Sequence, residues 1–269
     1  MLLKNGRKNS KKSSRNLIME HIGNYNLGFI SNEDIYNHVK DTVMKYSASI
    51  DLKKFNTNIV DPIKLTFDMK VYQKSINEVI ESECMRQMDK TNSNHIGYFH
   101  QNIFKYARNG WEVPANGETG FDVENRERHL FIELKNKHNT MNSSSAKNTY
   151  IKMQNKILHD DQATCMLVEV IAKKSQNIKW KTTIDGDLME HERIRRVSID
   201  NLYAMAFSDD LAFMKLCKQL PNILDDVISN NILQGPGNTV LTELQEISPD
   251  ILKSLYMFAF NTYDGFSNF

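Results

Sequence analysis

The segments Gly120-Phe121-Asp122-Val123 and Leu130-Phe131-Ile132-Glu133-Leu134-Lys135 decide the fold of this chain. Side chains alternate between the two faces of a strand, so the second segment has one aliphatic face and one that carries two charges. The aliphatic face consists of Leu130, Ile132 and Leu134, and the other face consists of Phe131, Glu133 and Lys135. The polar run 124–128 between the segments is typical of a turn. The two segments therefore predict a β-hairpin whose second strand is heavily buried.

The charged residues of this hairpin fit metal-dependent hydrolysis of a phosphodiester. Ten residues separate Asp122 from Glu133, and paired strands lie roughly 5 Å apart, so the two carboxylates can converge on one cation. Hard cations such as Mg²⁺ prefer carboxylate oxygens, and a bound cation neutralises phosphate charge and acidifies water. Lys135 shares a face with Glu133 and can orient or activate the attacking water. The alternative is that Asp122 belongs to a turn and the other two form a solvent-facing ladder.

The periodicity of the remaining chain predicts an α/β or α+β fold, with a central mixed sheet flanked by helices. Two further strands are predicted, over residues 163–172 and 193–199. The predicted helices are one that follows a Ser31 cap, 71–88, 99–107, 199–207, 211–220 ended by Pro221, and a last one from Ser248-Pro249 through Phe258. A basic stretch without acidic residues predicts a disordered arm over 1–15, and we expect 16–269 to form a single domain.

Composition excludes several classes of protein. The formal net charge is +1, whereas a non-specific DNA coat would be far more basic. Without a long uncharged apolar run, we expect no membrane association, and nothing in the sequence predicts an organic cofactor. Cys84, Cys165 and Cys217 are far apart and lack disulfide or zinc-site spacing. Three such thiols fit a reduced, cytoplasmic location.

The block from Phe121 to Ala146 resembles the core of a family of type II restriction endonucleases that cut GGNCC-type sites, including the GGWCC subset. The segments 28–34, 95–101 and 192–200 resemble the same family, and the resemblance runs from about residue 28 to residue 220. It implies the PD-(D/E)XK fold, in which Asp122 and Glu133 are the acids of the motif and Lys135 its lysine. Phe121 stands where the motif has proline.

Many members of this superfamily add a glutamate from a preceding helix to the metal site. The resemblance therefore makes Glu78, Glu81 and Glu83 candidates for a third metal ligand, and Glu81 is our choice among them. The alternative is that these glutamates are solvated charges on a helix face.

Sequence-specific cleavage also requires side chains that reach the edges of bases. We expect these side chains in the polar segment after the catalytic strand, in the charged segment 191–196 and in His100-Gln101. The candidates are Lys137, His138, Asn139, Thr140, Asn142, Ser143, Ser144, Ser145, Arg193, Arg195, Arg196, His100 and Gln101. The alternatives are a polar loop that caps a helix near Ala146, a charged surface strand and a partly buried packing histidine.

Together these features predict a Mg²⁺-dependent endodeoxyribonuclease of a restriction system. It would hydrolyse double-stranded DNA at a short GGNCC-like site and leave 5′-phosphates. A palindromic or near-palindromic site implies a two-fold homodimer. Two alternatives remain: a repair or junction nuclease of the same fold, which would give no discrete fragments, and a non-catalytic DNA-binding protein.

Overall fold

The computed structural model describes residues 22–115, 120–231, 233, 235, 237–260, 262, 263 and 266. The helices are α1 (Asn32–Val43), α2 (Leu52–Thr57), α3 (Pro62–Val71), α4 (Ile76–Asn102), α5 (Ser143–His159), α6 (Ile199–Phe207), α7 (Ala212–Asn230), α8 (Val240–Ile247) and α9 (Ile251–Phe260), with a 3-10 helix at Ile103–Tyr106. The strands are β1 (Ser49–Ile50), β2 (Trp111–Glu112), β3 (Val123–Asn125), β4 (Leu130–Lys137), β5 (Thr164–Ile171), β6 (Asn177–Lys179), β7 (Thr182–Ile184), β8 (Asp187–Met189), β9 (Ile194–Ser198) and β10 (Gly237–Asn238). The basic arm predicted over 1–15 lies outside the described residues.

Six strands form the central sheet, in the order β2-β3-β4-β5-β9-β6. The predicted hairpin is β3–β4, which is antiparallel, whereas β4–β5 and β5–β9 are parallel pairs. The edge strand β6 returns antiparallel to β9. The prediction of a mixed sheet flanked by helices is therefore confirmed.

Strand β4 contributes to two hydrophobic cores because its side chains alternate. On one face, Ile132 belongs to a core that includes buried residues of β5, β9, α1, α6 and α7. On the other face, Phe131 packs with Tyr150 and Met153 of α5. Glu133 therefore shares the α5 side of the sheet with Phe131, as the alternation predicted.

A third core lies among α2, α3, α8, α9 and the first half of α4. Helix α4 has 27 residues and is therefore about 40 Å long. Its first half contributes Val79, Ile80 and Cys84 to this third core, and Phe99 near its end packs in the core of the sheet. No helix within the described part of the chain is both long and apolar enough to cross a membrane.

The structure corrects the prediction of two separate helices over 71–88 and 99–107. Helix α4 is continuous from Ile76 to Asn102, and Val71 ends the preceding helix. A capping box between Ser75 and Glu78 sets the start of α4. The polar segment 89–98 carries little apolar periodicity, so local patterning did not reveal that the two predicted helices are joined.

The two proline-based predictions in the last third are also wrong. Pro221 lies inside α7 instead of ending it, because Leu216, Ile223 and Val227 bury one continuous face of that helix in the core. The last helix begins at Ile251, after the Asp250 side chain, which accepts from Lys253 N at 3.0 Å. By contrast, the Ser31 cap is confirmed, since its hydroxyl accepts from Asp34 N.

A proline in a helix interior removes one backbone hydrogen bond, and Pro221 is exposed to solvent. We therefore expect Pro221→Ala to raise the free energy of unfolding by about 1–2 kcal/mol. Urea denaturation would measure the change, with the exposed neighbour Lys218→Ala as a control that stays within about 0.5 kcal/mol of the parent. A less stable Pro221→Ala variant would contradict a helix that continues through this position.

Candidate active site

The hairpin holds the two predicted acids and the predicted lysine together. Asp122 directly precedes β3, and its backbone N–H donates to Ile132 O at 2.9 Å, which extends the pairing with β4. Its carboxylate accepts from Leu134 N at 2.7 Å. The Asp122 carboxylate is thus held at the residue that lies between Glu133 and Lys135. The structure thus brings Asp122, Glu133 and Lys135 together, and Glu133 and Lys135 are partly buried instead of forming a solvent-facing ladder.

Two ammonium groups hold the Glu133 carboxylate. Lys135 donates to its Oε1 at 2.6 Å, and Lys152 of α5 donates to its Oε2. The Glu133 side chain is only 12% exposed, whereas Lys135 and Lys152 are 29% and 33% exposed. Lys152 is not among the residues predicted from the sequence, and no local signal identifies it, because only the packing of α5 on the sheet brings it to Glu133.

The surroundings shift the pKa values of the two acids in opposite directions. Burial raises the pKa of Asp122, and the charge of Glu133 adds to this effect, although the hydrogen bond from Leu134 N opposes it. Burial alone would also raise the pKa of Glu133, but the hydrogen bonds from Lys135 and Lys152 outweigh burial and lower it. The surroundings therefore disfavour the charged form of Asp122 and favour the charged form of Glu133.

A cavity of about 430 Å³ opens beside Asp122 and Lys135. The second half of α4 also lines it and contributes Ser93, Asn94, Gly97, Tyr98 and Gln101. Gln101 donates from its side chain to Asp122 O at 3.1 Å. The structure therefore brings Gln101, a predicted DNA contact, to the candidate catalytic residue Asp122.

The helix that supplies Gln101 does not bring Glu81 to the site. Glu81 precedes Gln101 by twenty residues in one continuous helix, which separates them by about 30 Å. Glu83 pairs with Arg86 and Glu78 closes the capping box, so both carboxylates have partners on α4 itself. Among the described residues, no group of three metal-ligating side chains occurs. The expectation of a third acid at Glu81 is therefore not supported.

The polar segment predicted to read DNA follows the carboxyl end of β4. Lys137 ends the strand, and Asn142 caps α5 by accepting from Ser145 N at 2.8 Å. The helix begins at Ser143, not near Ala146. The exposed members of the predicted set in this segment are Lys137, Asn139, Thr140, Asn142, Ser143, Ser144 and Ser145. Direct continuation from the catalytic strand keeps this segment close to Lys135.

The three predicted arginines make different contacts. Arg193 donates to Asp161 O and Arg195 binds Asn177, both on the surface. Arg196 pairs with Glu169, which is 1% exposed, and donates to the backbone carbonyl of His138 at 2.9 Å. Arg196 therefore anchors the start of the polar segment instead of lying freely on the surface.

His100 packs edge-on against Phe99, with ring centroids 5.4 Å apart. Burial lowers its pKa to about 4, and the nearby His38 adds to this effect. A histidine that stays neutral at physiological pH is poorly suited to bind phosphate. The structure thus favours the alternative of a packing histidine over a DNA contact.

The donor set at the hairpin suits a hard divalent cation. Asp122 and Glu133 supply carboxylate oxygens, and Mg²⁺ is commonly held by one or two protein carboxylates together with water and substrate phosphate. The Glu133 carboxylate forms ion pairs with the ammonium groups of Lys135 and Lys152, so it lies where a positive charge is stabilised. The residues therefore fit a catalytic cation.

Comparison with known proteins identifies the class as restriction endonucleases. A family model described as Eco47II restriction endonuclease matches residues 27–229. The type II restriction enzyme Sau96I of Staphylococcus aureus is 32% identical over 213 residues, which cover 75% of this chain and 81% of that protein. The type II restriction enzyme Eco47II of Escherichia coli is 34% identical over 126 residues, 46% of this chain and 52% of that protein.

The chain belongs to the Eco47II restriction endonuclease family. The resemblance seen in the sequence is therefore confirmed, and the protein is an endonuclease. Type II restriction enzymes generally use a divalent metal ion, in agreement with the donor set at the hairpin.

The opposite pKa shifts predict opposite effects on stability in the metal-free protein. Asp122→Asn keeps an acceptor for Leu134 N and removes a buried charge, so we expect the free energy of unfolding to rise at neutral pH. Because the pKa of Asp122 is raised, this gain should disappear as the pH falls through that pKa. Glu133→Gln should lower the free energy of unfolding at neutral pH, and this loss should shrink as the pH falls through the lowered pKa of Glu133.

Urea denaturation in EDTA at several pH values would measure both effects. The exposed Asp210→Asn serves as a matched control and should change little at any pH. Destabilisation by Asp122→Asn, or a Glu133→Gln variant as stable as the parent at neutral pH, would contradict the charge arrangement described for this site.

Proposed function

We propose that this chain is a type II endodeoxyribonuclease with a PD-(D/E)XK fold, which cuts double-stranded DNA at a short GGNCC-like site with Mg²⁺. One observation carries the proposal. The hairpin holds the carboxylate of Asp122 at Leu134, beside Glu133, whose own carboxylate lies 2.6 Å from the ammonium of Lys135. Two acids and a lysine on one face of a hairpin form the arrangement that metal-dependent phosphodiester hydrolysis requires.

In this proposal Asp122 and Glu133 hold Mg²⁺. The bound ion would neutralise charge on the scissile phosphate and acidify a water molecule. Lys135 is partly exposed towards the cavity and presents its ammonium beside Glu133. From there it can orient the attacking water or donate to a phosphate oxygen. In-line attack on phosphorus would release the 3′ oxygen and leave a 5′-phosphate.

The polar segment 137–145 is our choice for contacts with DNA. It leaves the sheet at the end of the catalytic strand, and most of its side chains are exposed. Gln101, from the second half of α4, lines the cavity next to Asp122. DNA that reaches Lys135 would therefore lie between this segment and the second half of α4. Arg193 and Arg195 lie on the surface at β9 and stay candidates for contacts further along the duplex.

We propose that two copies act together, because each subunit of a two-fold dimer can cut one strand of a near-palindromic site. We also propose that residues 16–269 function as one nuclease domain. Helix α4 supports this, since it contributes to the core of the sheet and to the core of the flanking helices. A DNA substrate agrees with the cytoplasmic location expected from the unpaired cysteines.

Digestion of phage DNA with the purified protein would test this function. We expect discrete fragments that require Mg²⁺ and whose sequenced ends share a GGNCC-like motif. Asp122→Ala and Lys135→Ala should slow cleavage by about 100-fold or more, while the exposed Asp210→Ala should cut at the parental rate.

The alternatives give different outcomes in the same assay. Cleavage without a common sequence, or only at junctions and flaps, would indicate a repair nuclease. Binding to DNA without cleavage in Mg²⁺ or Mn²⁺ would indicate a non-catalytic protein. Cleavage that survives Asp122→Ala would contradict the assignment of the metal site.

A further inference from the structure

Lys152 reaches the candidate active site from outside the hairpin. It lies on α5, and its ammonium donates both to Glu133 Oε2 and to the backbone carbonyl of Gly120. Its Nζ also lies 4.7 Å from the centroid of the Phe121 ring. The carbonyl of Gly120, the ring of Phe121 and the carboxylate of Glu133 thus converge on one ammonium, and the Lys152 side chain is still one-third exposed.

The neighbouring turn of α5 provides an internal comparison. Lys156 lies four residues later and places its Nζ 3.9 Å from the centroid of the Phe131 ring. Both lysines therefore cover an aromatic ring of the hairpin, which is a common packing role for a lysine stem. Only Lys152 also binds a carboxylate, so packing alone does not account for its position.

The charges of the site explain what this second lysine could do. Asp122 and Glu133 are balanced by Lys135 and Lys152 in the absence of a cation. A divalent cation bound by the two carboxylates would compete with Lys152 for Glu133 Oε2 and would leave an excess of two positive charges. A phosphodiester is the anion that the proposed function brings to this place. The cation and the displaced Lys152 ammonium would repel each other at close range. The negative charge of the phosphate would stabilise that ammonium.

We propose that Lys152 is a second active-site lysine, which holds the Glu133 carboxylate in the DNA-free protein and contacts the phosphate of bound DNA once a cation takes that carboxylate. This inference rests on the proposed function. The bond to Gly120 O gives the ammonium a second anchor, so it stays within the site when it leaves Glu133. The flexible four-carbon stem of lysine permits such a shift.

Lys152→Met tests the proposal because it keeps the apolar stem and removes the ammonium. Calorimetry would measure the affinity of the DNA-free protein for Mn²⁺, and single-turnover assays at saturating Mn²⁺ would measure cleavage. We expect Mn²⁺ to bind about threefold to tenfold more tightly, because a competing cation is gone. We expect cleavage to slow by about tenfold or more. Lys156→Met is the matched control and should change neither quantity.

The opposite signs of the two effects separate this role from a structural one. A purely structural lysine would weaken Mn²⁺ binding, cleavage and thermal stability together when removed, and that result would overturn the proposal. Unchanged Mn²⁺ affinity or cleavage at the parental rate in Lys152→Met would also overturn it. Lys152→Gln, which keeps a donor for Gly120 O, repeats the test if the methionine variant does not fold.

The unsubstituted protein and Asp122→Ala distinguish this proposal from the proposed function. If the unsubstituted protein cuts DNA and Asp122→Ala abolishes Mn²⁺ binding, the proposed function stands, and a negative result with Lys152→Met concerns Lys152 alone. If the unsubstituted protein neither binds Mn²⁺ nor cuts DNA, both proposals fail.

Discussion

The register of the β3–β4 hairpin is the constraint on which the rest of the site depends. Side chains alternate along a strand, so a slip of one residue would move every side chain of β4 to the opposite face. Ile132 and Phe131 are buried in two different cores on opposite faces of β4. Such a slip would exchange the side chains of the two faces, so the burial of both residues fixes the register against it. With that register, Glu133 and Lys135 face α5. The bond from Leu134 N to Asp122 then places the second carboxylate beside them.

The site concentrates charge in a partly buried place, and its stability depends on how those charges are paired. Desolvation disfavours ionised Asp122, whereas two ammonium groups favour ionised Glu133. One acid therefore opposes folding at neutral pH and the other supports it. Such an arrangement is common at functional sites, where groups are positioned for chemistry at some cost in stability. The packing of Tyr150 and Met153 under the sheet offsets this cost by fixing α5, and with it Lys152.

The sheet connects the candidate active site with the polar segment that follows β4. Glu169 is paired with Lys135 in the register of β4 and β5, and its buried carboxylate forms an ion pair with the partly exposed Arg196 of β9. Arg196 also holds the carbonyl of His138, where the exposed polar segment begins. Loss of Arg196 would be costly, because the Glu169 carboxylate would remain as an uncompensated buried charge. These contacts connect β4, β5 and β9 with the polar segment that begins near His138.

Local sequence was sufficient for the features that depend on periodicity. The hairpin, the two faces of β4, the strand β5 and the Ser31 cap were predicted because each follows from residues close together in the chain. The spacing of Asp122, Glu133 and Lys135 likewise predicted a candidate site, and the hairpin brings these three residues together. Tertiary structure alone decided which helix covers the charged face, and therefore the contact of Lys152 with Glu133. It also determined that Gln101 reaches Asp122 while Glu81 does not, and that α7 continues through Pro221. These features depend on burial between segments far apart in the chain, which outweighs local propensity and leaves no local pattern to read.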